Sequence, residues 1–479
     1  MVGRRFCEIK TLKYVSTRGQ APTLPFDEVL LTGLARDGGL YLPEIWPSFS
    51  NADLKHLSKL PYTELAIQIM TPFIGNVISH DDFSSMVEDT YRNFQHPSVA
   101  PLKLLDHNQW ILELFHGPTL AFKDYPLQLV GRLFDHVLKK KGQKATIVGA
   151  TSGDTGSAAI EACRDKNLIE VFMLHPAGRV SDVQRRQMTT VQSANIHNIA
   201  LEGTFDDCQD MVKSLFADKV FRKKHHLSAV NSINWARILA QAVYYFWSAL
   251  ALGAPYRKVI FSVPTGNFGN VFAGYAARRM GLQIEKFIVA SNANDILTRF
   301  FETGQMSVTE VIPTLSPSMD IQISSNFERL LYEYYKQDGM AVAKVMERFR
   351  RKGIASFGKG RWKAISRLFE GHRVEDNAIK DAIFKVYQET GEILDPHTAV
   401  GVVASQQALT NKNNLVISLA TAHPAKFPDA IQEATGIRPA LPPHLNDLFQ
   451  RKESYLTLPN DFESVRGFIA STLGNGSTA

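Results

Sequence analysis

Two hydrophobic patterns alternate through the central half of the chain. Short apolar runs stand at Trp110–Phe115 (WILELF), Ala145–Ala150 (ATIVGA), Glu170–Leu174 (EVFML), Asn195–Leu201 (NIHNIAL), Lys258–Val263 (KVIFSV), Lys286–Ala290 (KFIVA) and Leu415–Ala420 (LVISLA). Their length and lack of strict polar alternation predict strands buried on both faces. Stretches of ten or more residues with helical spacing separate most of them. In Pro126–Lys140, for example, apolar residues recur at 127, 130, 133, 134, 137 and 138. Antiparallel hairpin signals are scarce, so the pattern predicts an α/β fold, a parallel sheet with helices on both faces. Ligands in such sheets bind beyond the carboxyl ends of strands. The turns after residues 115, 150, 263 and 420 are therefore where chemistry is expected.

The pattern also suggests a division of the chain. Residues 1–95 are less regular and read as an N-terminal subdomain. Residues 96–320 with 386–435 form the α/β core, in two lobes of which one is discontinuous. Residues 321–385 are helix-rich and charged, an insertion covering one side, and 436–479 form a C-terminal extension.

Composition narrows the class without naming a function. With 479 residues, 44% hydrophobic and 21% charged, the chain is globular and has ample material for a core. Its longest apolar run, around Ala240 to Leu252, is interrupted by Gln241 and Ser248. It reads as a buried helix, and no membrane association is expected. The formal net charge is +6, with basic runs at 139–141, 222–224 and 348–352. These read as solvated faces; no basic stripe with interleaved aromatics points to nucleic acid. A basic balance also suits a small anionic substrate. Cys7, Cys163 and Cys208 are far apart and form no CxxC. Neither a disulfide framework nor a zinc site is expected, and a cytoplasmic setting is. The histidines are scattered without HExxH, so no metal is expected.

Four turns carry candidate chemistry. ELFHGPTLAFKDYPLQLVG (Glu113–Gly131) holds Lys123 in apolar company just before a helical segment. Such a lysine either extends its head to water or is kept desolvated for Schiff-base chemistry. VGATSGDTGSAA (Val148–Ala159) passes from strand to helix through Gly153 and Gly156, with Ser152, Asp154 and Thr155 supplying polar groups. It fits a carboxylate or phosphate at a helix N-terminus, and it also fits an ordinary N-cap. In VPTGNFGN (Val263–Asn270), Gly266 and Gly269 bracket Asn267 and Phe268, the shape of a backbone nest or of a plain turn. It is neither a Walker loop nor a dinucleotide fingerprint. LATAHPAKFP (Leu419–Pro428) places Thr421 at a strand end, with His423 either catalytic or structural. Together, two phosphate-friendly turns, a strand-end hydroxyl and a shielded lysine point to pyridoxal phosphate.

At these residues the sequence resembles the threonine synthase family, in the longer form found in fungi and many bacteria. ELFHGPTLAFKD, VGATSGDTGSAAI, QMTTV, AVNSINWARILAQ, PTGNFGN, TLSPSMDI, ISSNFERLL, ILDPHTAVG and TAHPAKFPDA occur in family order, preceded by YVSTRG and GLARDGGLYLP. The resemblance runs from about residue 14 to about residue 430. It implies PLP fold type II, with two parallel-sheet domains, helices on both faces and an N-terminal subdomain. It further implies that Lys123 carries the cofactor as a Schiff base and acts as catalytic base. Gly266, Asn267, Phe268 and Gly269 would hold the cofactor phosphate, and Thr421 the pyridine nitrogen. Ser152, Asp154 and Thr155 would line the substrate side, while Arg18 and Arg237 stand as phosphate-binding or architectural residues. The implied reaction converts O-phospho-L-homoserine and water to L-threonine and phosphate.

One departure stands out. The wider fold type often has Asn at the position of Asp154, and a carboxylate beside a phenolate needs a proton or a cationic partner. Rival readings are a phospho-lyase releasing a 2-oxo acid, a non-catalytic protein that keeps the fold, and a nucleic-acid binder. A monomer and a homodimer both remain open.

Overall fold

The computed structural model describes residues 12–228, 232–409 and 413–475; Cys7 lies outside the described residues. The strands in chain order are β1 (Tyr14–Ser16), β2 (Tyr41–Pro43), β3 (Leu102–Asp106), β4 (Gln109–Glu113), β5 (Ala145–Ala150), β6 (Ile169–Pro176), β7 (Ile196–Glu202), β8 (Leu227–Ser228), β9 (Val259–Pro264), β10 (Ile284–Ser291), β11 (Gln305–Ser307), β12 (Ile354–Ser356), β13 (Phe369–Arg373), β14 (Val416–Ala420) and β15 (Leu456–Pro459). The chain forms two compact units: Met1–Pro126 with Ser232–Pro439, and Leu127–Asn231 with Ala440–Ala479.

The first unit is built on a sheet of order β13-β10-β9-β14-β4-β3. All its pairings are parallel except β3 with β4. β9 and β14 are buried along their whole length, which is why they read as unbroken apolar runs rather than alternating ones. Helices Asp376–Thr390 and Pro396–Ala408 supply Ile379, Ile383, Val400 and Val402 to a core shared with Ile260, Ile288 and Val416. Helix Trp235–Ala251 is buried almost throughout, as its apolar run predicts. Asn234 caps it, accepting from the Ala236 amide at 3.0 Å and donating to Leu30 O at 2.8 Å. Replacing such a cap by Ala costs about 1 kcal/mol.

The second unit has a parallel sheet of order β15-β7-β6-β5-β8. Val148, Phe172, Leu174, Ile199 and Leu201 pack under Cys208, Met211 and Leu215 of helix Phe205–Ala217 and under Val465 and Ile469 of helix Phe462–Asn475. Cys163 and Cys208 are free and buried, and burial pushes both thiols up to about 12. They are inert core residues at neutral pH. No described helix is long and apolar enough to cross a membrane. The basic runs at 139–141 and 222–224 are exposed, as are the charged residues of 348–352.

Besides the short strands β1, β2, β8, β11 and β12, three strands escape the hydrophobic pattern. β13, FEGHR, lies within the stretch read as helix-rich, yet it pairs with β10 at Phe287↔Phe369 and closes the first sheet. β15 lies in the C-terminal extension and pairs with β7. β3 makes an antiparallel hairpin with β4 through His107, at φ 29°, where no glycine marks the turn. All three are edge strands with partly exposed faces, so they lack the continuous apolar run that marks central strands.

Candidate active site

In the first unit, three main-chain hydrogen bonds lace the segment before Lys123 to the end of β14. Leu114 N donates to Ala420 O at 2.9 Å, Phe122 N to Thr421 O at 2.8 Å and His423 N to Leu120 O at 3.0 Å. Leu120 adopts φ 63° to make this turn. Lys123 is 7% exposed, with Nζ 3.5 Å from Ser318 Oγ and 5.4 Å from the Phe122 ring centroid. Asp124 opens helix Asp124–Lys141 and accepts from Thr119 N at 2.8 Å and Thr119 Oγ1 at 2.7 Å. A Cβ at Gly117 would lie 2.4 Å from Asp124 Cβ, so this close approach requires glycine. Fully buried Lys426 donates to Thr119 O at 2.8 Å. Asp124 and Lys426 thus fold the PTLAF turn that delivers Lys123.

The turn after β9 is braced from outside. Phe268 sits in the left-handed region at φ 61° and directs its ring against Phe327 and Phe369, at centroid distances of 5.1 and 6.0 Å. Ser324 Oγ donates to Gly266 O at 2.5 Å, and Asn326 donates to Asn267 O through both its amide and its side chain. A Cβ at Gly266 would meet Ile321 Cδ1 at 2.9 Å and Ser318 O at 3.1 Å. The turn's carbonyls are therefore taken, while among the described residues its amides at 266–269 donate to no main-chain carbonyl.

Two further donors nearby lack partners. Tyr244 OH and Tyr245 OH donate to Asn270 Oδ1 at 2.6 and 2.9 Å, which leaves the buried Asn270 Nδ2 without an acceptor. Arg237, 4% exposed, has its Nη1 without an acceptor. Burial pushes its guanidinium down to about 10, partly offset by neighbouring Tyr244. An unpaired buried cation and an unpaired buried amide call for an anion.

Arg18 is differently placed. Its Nε and Nη2 meet Glu328 at 3.0 and 2.9 Å, and Thr17 Oγ1 donates to the same carboxylate at 2.6 Å. This supports the architectural reading. Arg329, a residue the motif reading overlooked, is fully buried and bonds Tyr41 O, Ile233 O and Asn326 Oδ1. Burial pushes it down to about 9. It fixes Asn326, and through Asn326 the Asn267 carbonyl. His423 Nδ1 accepts from Ala425 N at 3.1 Å, capping the short Pro424–Lys426 turn, the structural role.

In the second unit, Thr151 Oγ1 accepts from Gly153 N at 3.0 Å and Gly156 N at 2.9 Å. Two amides of the Ser/Gly turn are thus satisfied internally. Gly153 has φ 142°, and a Cβ there would strike Gln184. Asp154, buried at the start of helix Asp154–Cys163, accepts from Gln184 Nε2 at 2.8 Å. Ser181 Oγ donates to Gln184 Oε1 at 3.0 Å, which orients that amide. A neutral amide therefore partners Asp154. Ser152 and Thr155 are half-buried beside it.

Comparison with known proteins agrees with this layout. A family profile described as "Threonine synthase N terminus" matches residues 13–91, "Pyridoxal-phosphate dependent enzyme" matches 95–348, and "Threonine synthase, C-terminal" matches 398–469. The threonine synthase of Pseudomonas aeruginosa is 54% identical over 460 residues, 96% of this chain and 98% of that protein. The chain belongs to the threonine synthase family. Its fold superposes on the PLP-bound threonine synthase of Brucella melitensis with a TM-score of 0.94 at 50% identity, covering 96% of this chain and 99% of that one. Yeast threonine synthase gives 0.91 at 41% identity, covering 97% and 99%. As a family member the chain has the type II fold of pyridoxal-phosphate enzymes. Its own residues fit that cofactor: donors without acceptors at Arg237 and Asn270, open amides at 266–269 and a shielded lysine suit a phosphate and an aldehyde.

Proposed function

We infer that the protein converts O-phospho-L-homoserine and water to L-threonine and phosphate, the last step of threonine biosynthesis, with pyridoxal phosphate as cofactor. The single observation that carries this is Lys123, shielded from water and tied through Phe122 to Thr421 at 2.8 Å. When bound, the cofactor supplies an electron sink for carbanions formed on the substrate.

The chain's own groups do the rest. Lys123 Nζ would hold the cofactor aldehyde, and its amine would take and return protons at the α and β carbons of the substrate. The amides of Gly266, Asn267, Phe268 and Gly269 would receive the cofactor phosphate, and the Thr421 hydroxyl would hold the ring nitrogen. Arg237 and Asn270 offer the remaining donors to phosphate. Ser152, Asp154 and Thr155 bind the substrate; the tie from Gln184 to Asp154 keeps that carboxylate in a fixed orientation. Three widely spaced cysteines support a reducing compartment, and we place the reaction in the cytoplasm.

Substituting Lys123 by Ala tests the assignment. Turnover and the absorbance of lysine-bound cofactor should both vanish while the fold persists. Phosphate release that survives the substitution would refute it.

A further inference from the structure

Asp395 does more than cap a helix. It is 1% exposed and accepts from the amides of His397 at 2.9 Å and Thr398 at 3.2 Å, which satisfies the N-terminus of helix Pro396–Ala408. The same carboxylate also takes both side chains. His397 Nδ1 lies 2.9 Å from its Oδ1, and the Thr398 hydroxyl donates to its Oδ2. On the far side of the imidazole, His397 Nε2 accepts the Ser318 amide at 3.2 Å. An amide only donates, so Nε2 carries no proton and the ring proton sits on Nδ1 against Asp395. Ser318 is the residue whose hydroxyl stands 3.5 Å from Lys123 Nζ. In the other direction, the Thr398 hydroxyl accepts the Thr421 amide at 3.2 Å.

We propose that Asp395 is a positioning residue that sets Ser318 beside Lys123 through His397, and Thr421 through Thr398. The proposal rests on the reading of Lys123 and Thr421 as cofactor contacts. A histidine–aspartate pair near a reacting lysine also invites a general-base role. The geometry rejects that, because the Ser318 amide occupies the only nitrogen able to take a proton. His397, Thr398 and Thr421 are all buried, so each bond acts where water does not compete. The Ser318 turn is held from its other side by Asp320, which accepts from Thr314, Asn292 and Asn294. The histidine is what reaches the Ser318 amide itself.

The test uses three holoenzyme variants, H397F, H397Q and T398V. H397F keeps a ring against Phe427, 4.8 Å away in the native pair, and removes both hydrogen bonds. Its kcat is expected to fall by about tenfold or more, with KM for O-phosphohomoserine little changed, because misplacement of a reacting group acts on the chemical step. The pH midpoint of the bound cofactor's absorbance is expected to move with it. H397Q, whose side-chain oxygen accepts the Ser318 amide, should recover most of the loss. A merely structural histidine would lower thermal stability and leave the midpoint and kcat of the folded, loaded protein unchanged; that result overturns the proposal. T398V provides an independent arm if H397F does not fold: weaker cofactor binding with an altered absorbance profile supports the proposal, and wild-type values overturn it. Borohydride reduction of the wild-type holoenzyme with peptide mapping tests the underlying reading separately. Label at a lysine other than Lys123 would overturn that reading and the proposal with it.

Discussion

The amide of Phe122 donates to the carbonyl of Thr421 at 2.8 Å, so the residue before Lys123 and the residue after β14 are one hydrogen bond apart. Flanking bonds from Leu114 to Ala420 and from His423 to Leu120 make this a small ladder. The main-chain positions of Lys123 and Thr421 are therefore held close to each other. A cofactor touched at one end by an amine and at the other by a hydroxyl gains from such a fixed span.

Arg237 carries a charge that burial disfavours and that has an unpaired Nη1. Replacing it by Met should leave the cofactor-free protein equally stable or more stable by up to about 3 kcal/mol, since removing an uncompensated buried charge relieves desolvation. Phosphate-bearing ligands should bind more weakly to the same variant. Urea unfolding and cofactor titration check the two halves. Destabilisation with unchanged binding would mean that Arg237 is purely architectural.

Phe268 sets two effects against each other. Its left-handed backbone favours glycine by about 1 kcal/mol over alanine. Its buried ring, packed on Phe327 and Phe369, is worth about 3–5 kcal/mol against truncation. Packing wins, so both F268A and F268G should be destabilised, with the glycine variant the more stable of the two. Denaturation midpoints in the opposite order would contradict the backbone argument.

Two groups with large shifts contribute to acid sensitivity in different pH windows. Burial holds His175 down at about 4, aided by Arg185 and opposed by Glu453, and its Nδ1 has no partner. The unfolded chain therefore binds the extra proton first. Stability from this group is present above its ordinary value of 6.5 and is lost as the pH falls toward about 4. The slope reaches about 1.4 kcal/mol per pH unit. Glu370 is held down at about 2 by hydrogen bonding to His372, with Lys286 adding to the effect. Its contribution is present above the ordinary 4.5 and is lost only toward about 2. Unfolding followed from pH ~7 to ~4 should lose less stability in H175F than in wild type, whereas E370Q should be less stable by a nearly constant amount across that window and change the slope only below it. Parallel curves for H175F and wild type would contradict the assignment.

Much of the frame and of the site can be read in the residues themselves. Ala145–Ala150 is a strand at the bounds its apolar run predicts, and the other six runs differ from their strands by a few residues at their ends. Central parallel strands announce themselves because both their faces are covered. β3, β13 and β15 do not, because an edge strand has only part of its surface to bury. The glycines and Lys123 are legible since their chemistry is local to one turn. What the motifs hide is support from distant sequence. Arg329 reaches Tyr41 and Ile233, Lys426 holds Thr119, and Asp395 reaches Ser318 through His397 and Thr421 through Thr398. Each is a buried polar residue that acts, directly or through a neighbour, on residues far away in the chain, so spacing carries no trace of them. Thr151 is different: its partners are two and five residues away. It is hidden only because a threonine there also suits an ordinary turn.

The central claim is best tested by one assay on the purified protein with pyridoxal phosphate and O-phospho-L-homoserine, with threonine and phosphate measured in the same samples. The account predicts equal amounts of the two, with no 2-oxo acid. Phosphate released without threonine, accompanied by 2-oxobutyrate, would contradict it.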